Sequence, residues 1–415
     1  MAAAGIIIHV AGDAHIPVLW ICGPAGVGKS AASWRLYAEL ADSGVHVAFI
    51  DSDQLCMCYP APAGDPGRQH VKALNAGAVI SNFRLAGARC VIVNGVLGPS
   101  GLATGLLPGA RVTVCRLRAS AGEVERRFAG RHGSADGLDE LLREIRDEIR
   151  LMDESSFADA CVDTTGVPAG DVPGLVRAAC EAWPGFTGRL EDAVGESPVE
   201  PGLAEPSGRD GAATQDGVAD TATQDGRDGG GRVALITGPP GVGKSTTAFR
   251  FYLRCLGAGL TAGYVDLAQT GFLRPAPAPD PGGHRLKARN LAAIWRNYRA
   301  AGATHLVASG MIPRQADLQR YAAELPGTEI AHIRLRADEV ELRRRIMTRG
   351  AGGSWPEPGD RLAGQPAGFL AGAAEAAVRS AEAHDRSDAG PVTVDTTSRT
   401  PQESASLIRD AIGWP

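Results

Sequence analysis

An apolar run, a glycine-rich loop closing in Gly-Lys-Ser and a helix-compatible stretch occur twice in the 415-residue chain, 215 positions apart. The first loop is Gly23-Pro24-Ala25-Gly26-Val27-Gly28-Lys29-Ser30, after the strand-like Pro17 to Cys22. The second is Gly238-Pro239-Pro240-Gly241-Val242-Gly243-Lys244-Ser245, after Val233 to Thr237. A strand that feeds such a loop into a helix turns backbone NH groups and the helix N-terminus toward an anion, so both segments read as phosphate-binding loops by pattern and by context. The same context commits each region to alternating strands and helices, and hence to a parallel sheet covered on both faces.

With a constant shift of 215, positions 23–95 align with 238–310 without a gap, and 29 of the 73 pairs are identical, about 40%. This is the mark of an internal duplication. Outside the loops the retained positions include Asp51 with Asp266, Gln54 with Gln269, Lys72 with Lys287, Asn75 with Asn290 and Asn82 with Asn297. The stretch Pro60 to Gly67 likewise matches Pro275 to Gly282. Shared descent accounts for identity as readily as function does, so retention alone assigns no role. The shift widens to 218 across residues 116–131 and 334–349, and to 232 at the VDTT segments 162–165 and 394–397. Each copy reads as strand, loop, helix, strand, a long connection with a helix, two strands, helix, strand, helix. The expectation is two three-layer α/β domains, residues 1–187 and 232–415, each around a mostly parallel five-stranded sheet.

Residues 188–231 nearly lack large apolar side chains, repeat ATQDG, and carry ten acids against three arginines. Such a segment does not bury enough surface to offset the entropy of ordering it, which predicts a flexible acidic linker. It also explains the formal charge of −5: the remainder of the chain comes to +2, with no clustered basic stripe, which argues against a nucleic-acid partner. No apolar run approaches the roughly 20 residues needed to cross a bilayer, and the start, MAAAGIIIHVAGD, lacks the basic flank of a secretory signal. A cytoplasmic protein without a membrane partner is the expectation. Ile6 to Val10 reads either as an extra edge strand or as residue upstream of the true start, with no function. Cys22, Cys90, Cys115 and Cys161 lie in apolar strand-like runs and read as small buried hydrophobes, while Cys56 and Cys58 read as ordinary reduced thiols rather than a zinc site.

In a phosphate loop the lysine reaches the β and γ phosphates, and the following hydroxyl holds Mg²⁺. Lys29 and Lys244 are thus the phosphate grips, Ser30 and Ser245 the metal-side hydroxyls, and Thr246 belongs to the second binding set. The class of protein follows from its acids. The strands ending CVIVNG (90–95) and HLVASG (305–310) carry none, whereas the strand after the first helix ends FIDSDQL, placing Asp51 and Asp53 on the carboxyl edge of the sheet, where ligands bind in such folds.

Here the chain resembles the P-loop small-molecule kinases, such as adenylylsulfate, shikimate and gluconate kinases, over nearly all of each half. The specific points of likeness are the loop, the acid after strand two, and the patterns RRFAGR and RRRIMTR. Each half is also similar to uncharacterised actinobacterial ATP-binding proteins labelled AAA family ATPases, although AAA signatures are absent. The resemblance implies ATP and Mg²⁺ as cofactors, with Asp51 and Asp266 on the metal side. Asp53 is then the acceptor-side base, a reading that stands beside a plain helix N-cap. Arg131 and Arg349, each four residues after Arg127 or Arg345 on a predicted helix, would close over the phosphates, the alternative being a solvated helix face. Arg68, His70 and Lys72, with His284, Arg285 and Lys287, lie where these kinases bind acceptor and would suit a small anion. Thr165 to Pro168 and Thr397 to Pro401 would meet adenine; no NKxD for guanine is present.

The copies differ in ways that bear on activity. Asp53 becomes Ala268, and after the arginine helix the first copy has an amphipathic stretch (Leu138, Leu141, Leu142, Ile145, Ile149) where the second has AGGSWPEPGDRLAGQPAG. The latter predicts a flexible loop in place of a lid helix. The expectation is two nucleotide sites, with Lys29, Asp53 and Arg131 forming the one working catalyst. The competing class is an ATP-dependent regulatory or binding protein, in which nucleotide switches the lid or the placement of two paired domains.

Overall fold

The computed structural model describes residues 15–97, 106–132, 138–188, 230–352, 360–385 and 392–415. The expected linker, and the N-terminal segment with Ile6 to Val10, fall almost wholly outside them. The first half runs β1 (Ile16–Cys22), α1 (Lys29–Asp42), β2 (Val47–Asp51), a 3-10 turn (Ser52–Cys56), β3 (Cys58–Tyr59), α2 (Gln69–Leu85), β4 (Cys90–Asn94) and β5 (Ala110–Arg118). It continues through α3 (Ala121–His132), α4 (Leu138–Asp153), β6 (Ala160–Asp163), α5 (Val172–Ala179) and α6 (Pro184–Thr187). The second half begins β7 (Arg232–Thr237), α7 (Lys244–Gly257), β8 (Ala262–Asp266), β9 (Phe272–Arg274), α8 (His284–Ala300) and β10 (His305–Ser309). It ends α9 (Gln315–Glu324), β11 (Glu329–Arg336), α10 (Glu339–Gly350), α11 (Ala367–Asp385), β12 (Val392–Asp395) and α12 (Pro401–Ile412).

The apolar runs that carry no alternation, IPVLWIC in β1 and CVIVN in β4, are buried at every position, as strands covered on both faces must be. Five parallel strands from each half stand in matching order, β6-β5-β1-β4-β2 and β12-β11-β7-β10-β8. Each sheet nevertheless has six strands rather than the five expected, because each half lends one to the other. β9 runs antiparallel along β2, with Phe272 opposite Phe49, and β3 runs antiparallel along β8, with Cys58 opposite Gly263. An exposed sheet edge presents unpaired NH and carbonyl groups, and the exchange covers the edges at β2 and β8.

The exchanged strands bring side chains with them. Phe272 enters an aromatic group with Trp34, Phe49 and Tyr37, its ring centroid 5.0 Å from that of Trp34. Met57, at the matching position, packs into the second half's core around Phe251 and Tyr264. Between the sheets α2 lies against α8, and one hydrophobic core runs through both halves, from Trp20, Ile50 and Phe83 to Leu291, Trp295 and Tyr298. Inside that contact the retained asparagines bond across the halves. Asn82 Nδ2 donates to Asn290 Oδ1 and Asn297 Nδ2 to Asn75 Oδ1, both at 2.9 Å. Asn75 and Asn290 then donate to Leu55 O and Thr270 O, at 2.6 and 2.7 Å, tying the contact to the segments that follow the carboxyl ends of β2 and β8.

Two sequence expectations need correction. Cys161 is exposed, because alternate residues of β6 face outward, whereas Cys22, Cys90 and Cys115 are buried. The second half does have a helix where a lid helix was not expected: α11 follows the glycine- and proline-rich run, which is a longer connection and not a replacement. Residues 353–359 of that run lie outside the described residues. Ala374 and Ala377 of α11 are buried against Ile346 of α10. Among the described residues, no helix is long and apolar enough to cross a membrane.

Candidate functional site

Both loops leave the carboxyl end of the strand at the middle of their sheet. Gly23 and Gly238 pass so close to the neighbouring strand that a Cβ would stand 2.3 Å from Leu117 O and 2.6 Å from Leu335 O. With φ of 139° and 150° as well, these positions exclude any side chain. Gly28 and Gly243 end the loops in the left-handed region, from which α1 and α7 begin directly at Lys29 and Lys244. Lys29 Nζ donates to Gly23 O and Pro24 O at 2.7 and 2.9 Å, and Lys244 Nζ donates to Pro239 O at 2.8 Å. Burial pushes the Lys29 amine below its ordinary range, against the opposing charges of Asp53 and Glu148. A buried ammonium at the start of a helix, where the first backbone NH groups point outward, favours a multiply charged anion.

The metal-side residues assemble differently in the two halves. In the second, Ser245 Oγ donates to Asp266 Oδ2 at 2.5 Å, and Ser309 Oγ reaches the same oxygen at 3.3 Å. In the first, Asn94 takes the place of Ser309 and donates from Nδ2 to Ser30 Oγ at 3.2 Å, while its Oδ1 is buried without a partner. Asp51 is 9% exposed and its carboxyl is pushed up to about 6, chiefly by burial and then by the charge of Asp53. Hydroxyl, carboxylate and an orphaned amide oxygen are hard oxygen ligands, a set that fits Mg²⁺ with waters completing its shell.

Asp53 is not a cap. Asp51 holds that role, its Oδ1 accepting from the Asp53 NH at 3.1 Å, and Asp266 repeats it for the Ala268 NH at 2.9 Å. Asp53 instead accepts from Lys72 Nζ at 2.8 Å and from the Val96 NH at 3.3 Å, both on Oδ1. Lys72 is 4% exposed and also donates to Val96 O. The second half has Ala268 at the aspartate's position, and Lys287 turns to Gly282 O at 3.0 Å. Of the remaining basic residues, Arg68 stacks over the Tyr59 ring at 3.9 Å, His70 is exposed, and His284 is buried against Tyr321, its Nδ1 3.3 Å from the hydroxyl. Arg285 is half-buried.

Within the arginine pattern on α3 and α10, Arg127 and Arg345 turn toward the glycine-rich loop. Arg127 donates to Val27 O at 3.3 Å and to Thr164 O at 2.8 Å; Arg345 donates to Val242 O at 2.8 Å and to Thr396 O at 2.7 Å. Each also pairs with a glutamate one turn earlier, Glu123 or Glu341. They therefore bolt the glycine-rich loop to the VDTT segment. Arg349 bonds Asp360 Oδ2 at 2.8 Å, tying α10 to the connection before α11. The side chain of Arg131 lies outside the described residues, and Thr246 is exposed in the first turn of α7.

No family model and no curated protein matches the chain. Solved structures that are similar to it include a tunicamycin resistance protein of Deinococcus radiodurans, at 19% identity and TM-score 0.31, covering 45% of this chain and 97% of that one. A gluconokinase of Sinorhizobium meliloti is 19% identical at TM-score 0.28, covering 45% and 96%. The APS kinase of Mycobacterium tuberculosis, solved with AMPPNP and APS, is 16% identical at TM-score 0.28, covering 44% and 98%. Similarity this distant assigns neither substrate nor activity to the chain.

Two groups of functional interest escaped the motif reading. Arg127 and Arg345 share a helix face with Arg131 and Arg349, and spacing alone does not say which of them bond the loop. Asn94 stands where a second acid is absent, and only its contact with Ser30 distinguishes it from a strand-end residue.

Proposed function

We propose that the chain binds Mg-ATP at both loops and that its first half transfers the γ-phosphoryl group to a small molecule. In this reading the halves are duplicated kinase-like domains, 1–187 and 232–415, joined by the acidic linker. The observation that carries it is the Asp53–Lys72 pair beside Lys29, present in one half and lost in the other. Lys72 and the Val96 NH both bond the Asp53 carboxylate on Oδ1, so Oδ2 is left to accept the proton of an acceptor hydroxyl. As that proton leaves, the acceptor oxygen bonds the γ-phosphorus, the bond from γ-phosphorus to the β,γ-bridging oxygen breaks, and ADP departs. Mg²⁺, held by Ser30 with Asp51 and Asn94 beside it, would neutralise charge on the β and γ oxygens. Lys72 holds the Asp53 carboxylate in place and offers a positive surface to an anionic acceptor. Arg127 fixes the loop relative to the base side, and Arg131 is the residue assigned to close over the phosphates. The second half keeps Lys244, Ser245 and Asp266 but has no base, which suits binding without transfer.

A regulatory reading has one observation in its favour: the exchanged strands and the asparagine contact physically join the two sites. Calorimetry with turnover separates the readings. Lys29→Ala and Lys244→Ala should each remove one of two ATP equivalents, while only Lys29→Ala abolishes phosphoryl transfer in a screen of small hydroxyl, sulfate and nucleotide acceptors. Slow hydrolysis indifferent to every acceptor would overturn the kinase reading and favour the regulatory one.

A further inference from the structure

The short turn that carries Asp53 is held from several sides, and two of its supports come from the other half. At its start the Asp51 carboxylate caps the Asp53 NH. On its flank α2 presents two side chains three residues apart, hence on one face of the helix. Lys72 grips the Asp53 carboxylate at 2.8 Å, and Asn75 donates from Nδ2 to Leu55 O at 2.6 Å. At its exit Met57 O accepts the Tyr264 NH at 2.8 Å, and Cys58 and Tyr59 then pair with β8 of the second half.

The amide of Asn75 has only one workable direction. Leu55 O accepts and never donates, so Asn75 must face it with its NH₂ and turn its own oxygen away. Asn75 is fully buried, and whatever meets that oxygen has to be a donor. Asn297 on α8 is that donor, Nδ2 to Oδ1 at 2.9 Å. A line of hydrogen bonds thus enters the turn from the second half, and losing its outer member leaves Asn75 free to rotate away from Leu55 O.

The second half repeats the arrangement with the roles exchanged. Asn82 donates to Asn290 Oδ1 at 2.9 Å, and Asn290 donates to Thr270 O at 2.7 Å. Asn82 and Asn297 are equally half-buried, but the turn that Asn82 supports has Ala268 at the position of Asp53.

We infer that Asn297 is a positioning residue for the first half's reaction: acting through Asn75, it holds the turn that carries Asp53, so the second half completes the catalytic site of the first. The inference rests on the reading of Asp53 as the base of a phosphoryl transfer. A base displaced by about 1 Å can cost about 10²-fold in rate, whereas the phosphate grip of Lys29 and its loop does not pass through this turn. The support should therefore act on kcat and leave the KM for ATP alone.

The test sets Asn297→Ala against its mirror, Asn82→Ala, in the full chain, with ATP and with gluconate, adenylylsulfate and AMP as hydroxyl, sulfate and nucleotide acceptors. Asn297→Ala should lower kcat by about 10- to 100-fold with the KM for ATP within about twofold of the parent. Asn297→Asp keeps the shape but opposes Asn75 Oδ1 with an acceptor, and should lower kcat as far. Asn82→Ala should leave kcat within about twofold while shifting the thermal unfolding temperature as much as Asn297→Ala does. Amide hydrogen exchange gives a reading that needs no acceptor: residues 52–58 should exchange faster in Asn297→Ala, and residues 267–273 in Asn82→Ala. Equal kcat losses in the two alanine variants, or exchange over 52–58 unmoved by Asn297→Ala, would overturn the positioning role and leave the kinase reading standing. A parent protein that transfers phosphate to none of the acceptors would overturn the kinase reading itself, and the positioning role with it.

Discussion

The two sites are built on the same plan, yet they diverge wherever chemistry would occur and agree wherever phosphate would be gripped. Lys29 and Lys244 both donate to the carbonyl of the loop's first proline, Asp51 and Asp266 cap the same turn, and Arg127 and Arg345 make the same bolt to the VDTT segment. Asp53 with Lys72, by contrast, answers to Ala268 with a Lys287 that bonds Gly282 O. A grip can serve binding alone; a base only matters if something is to lose a proton. On the proposed reading the halves carry separable duties, each open to separate attack.

The largest effect should come from making the first site resemble the second. Asp53→Asn keeps the hydrogen bond to Lys72 within reach but removes the proton acceptor, and should lower turnover by about 10²–10⁴-fold. Calorimetric ATP stoichiometry should stay at two. Turnover within a factor of about three of the parent would mean that Asp53 only positions Lys72, and the comparison would then rest on the grip alone. The reciprocal Ala268→Asp restores the aspartate near Lys287, and in a Lys29→Ala background any acceptor-dependent transfer it confers would be read at the second site.

The second comparison is structural: each half completes the other's sheet, but with unequal side chains. Phe272 joins three rings of the first half, whereas Met57 meets the second half's core with a flexible thioether. Phe272→Ala should therefore cost about 3 kcal/mol in denaturant unfolding and Met57→Ala about 2, following the usual range for truncating large core side chains. Equal losses would show that backbone pairing, not the aromatic group, carries the exchange.

Much of this was legible in the sequence, for local reasons. The loops, the strands that feed them and the order of the parallel elements each leave a contiguous apolar or glycine pattern. The exchanged strands leave none: Cys58–Tyr59 and Phe272–Arg274 are too short to alternate, and an edge strand such as β2 reads the same whichever chain segment pairs with it. Asn75, Asn82 and their counterparts stood out as retained, but a sequence does not say that a side chain bonds across a pseudo-twofold contact. Asp51 and Asp53 are both good caps two residues apart, and only backbone direction decides that the first caps and the second does not. In the second half, a proline- and glycine-rich connection masked α11, whose alanine-rich face has little periodic contrast to announce a helix.

Those cross-half amides set the third prediction. Asn75 is fully buried, and removing its side chain strands both Leu55 O and the Asn297 amide. Asn75→Ala and Asn290→Ala should each cost about 2 kcal/mol, the usual penalty for orphaning buried partners. The half-buried donors Asn82 and Asn297 should cost less when truncated, about 1 kcal/mol, since water reaches part of them. A double-mutant cycle between Asn82 and Asn290 should show coupling, and one between Asn82 and Asn75 much less, because the recorded bonds pair the first two and not the second.

The smallest difference lies past the VDTT segments, and it runs opposite to the rest. There the second half is the better built: Thr400 accepts the Glu403 NH at 3.2 Å while Glu403 Oε2 accepts the Thr400 NH at 2.7 Å, a reciprocal cap at the start of α12. In the first half α5 starts after Asp171, whose side chain makes no capping bond. Thr400→Ala should cost about 1 kcal/mol of stability, and Asp171→Ala less than about 0.5, both read from shifts in the urea midpoint. Because the cap lies just past the VDTT segment rather than in the glycine-rich loop, Thr400→Ala should leave ATP stoichiometry at two. A lost equivalent would show that the second site depends on this cap, which would make its binding the more fragile of the two.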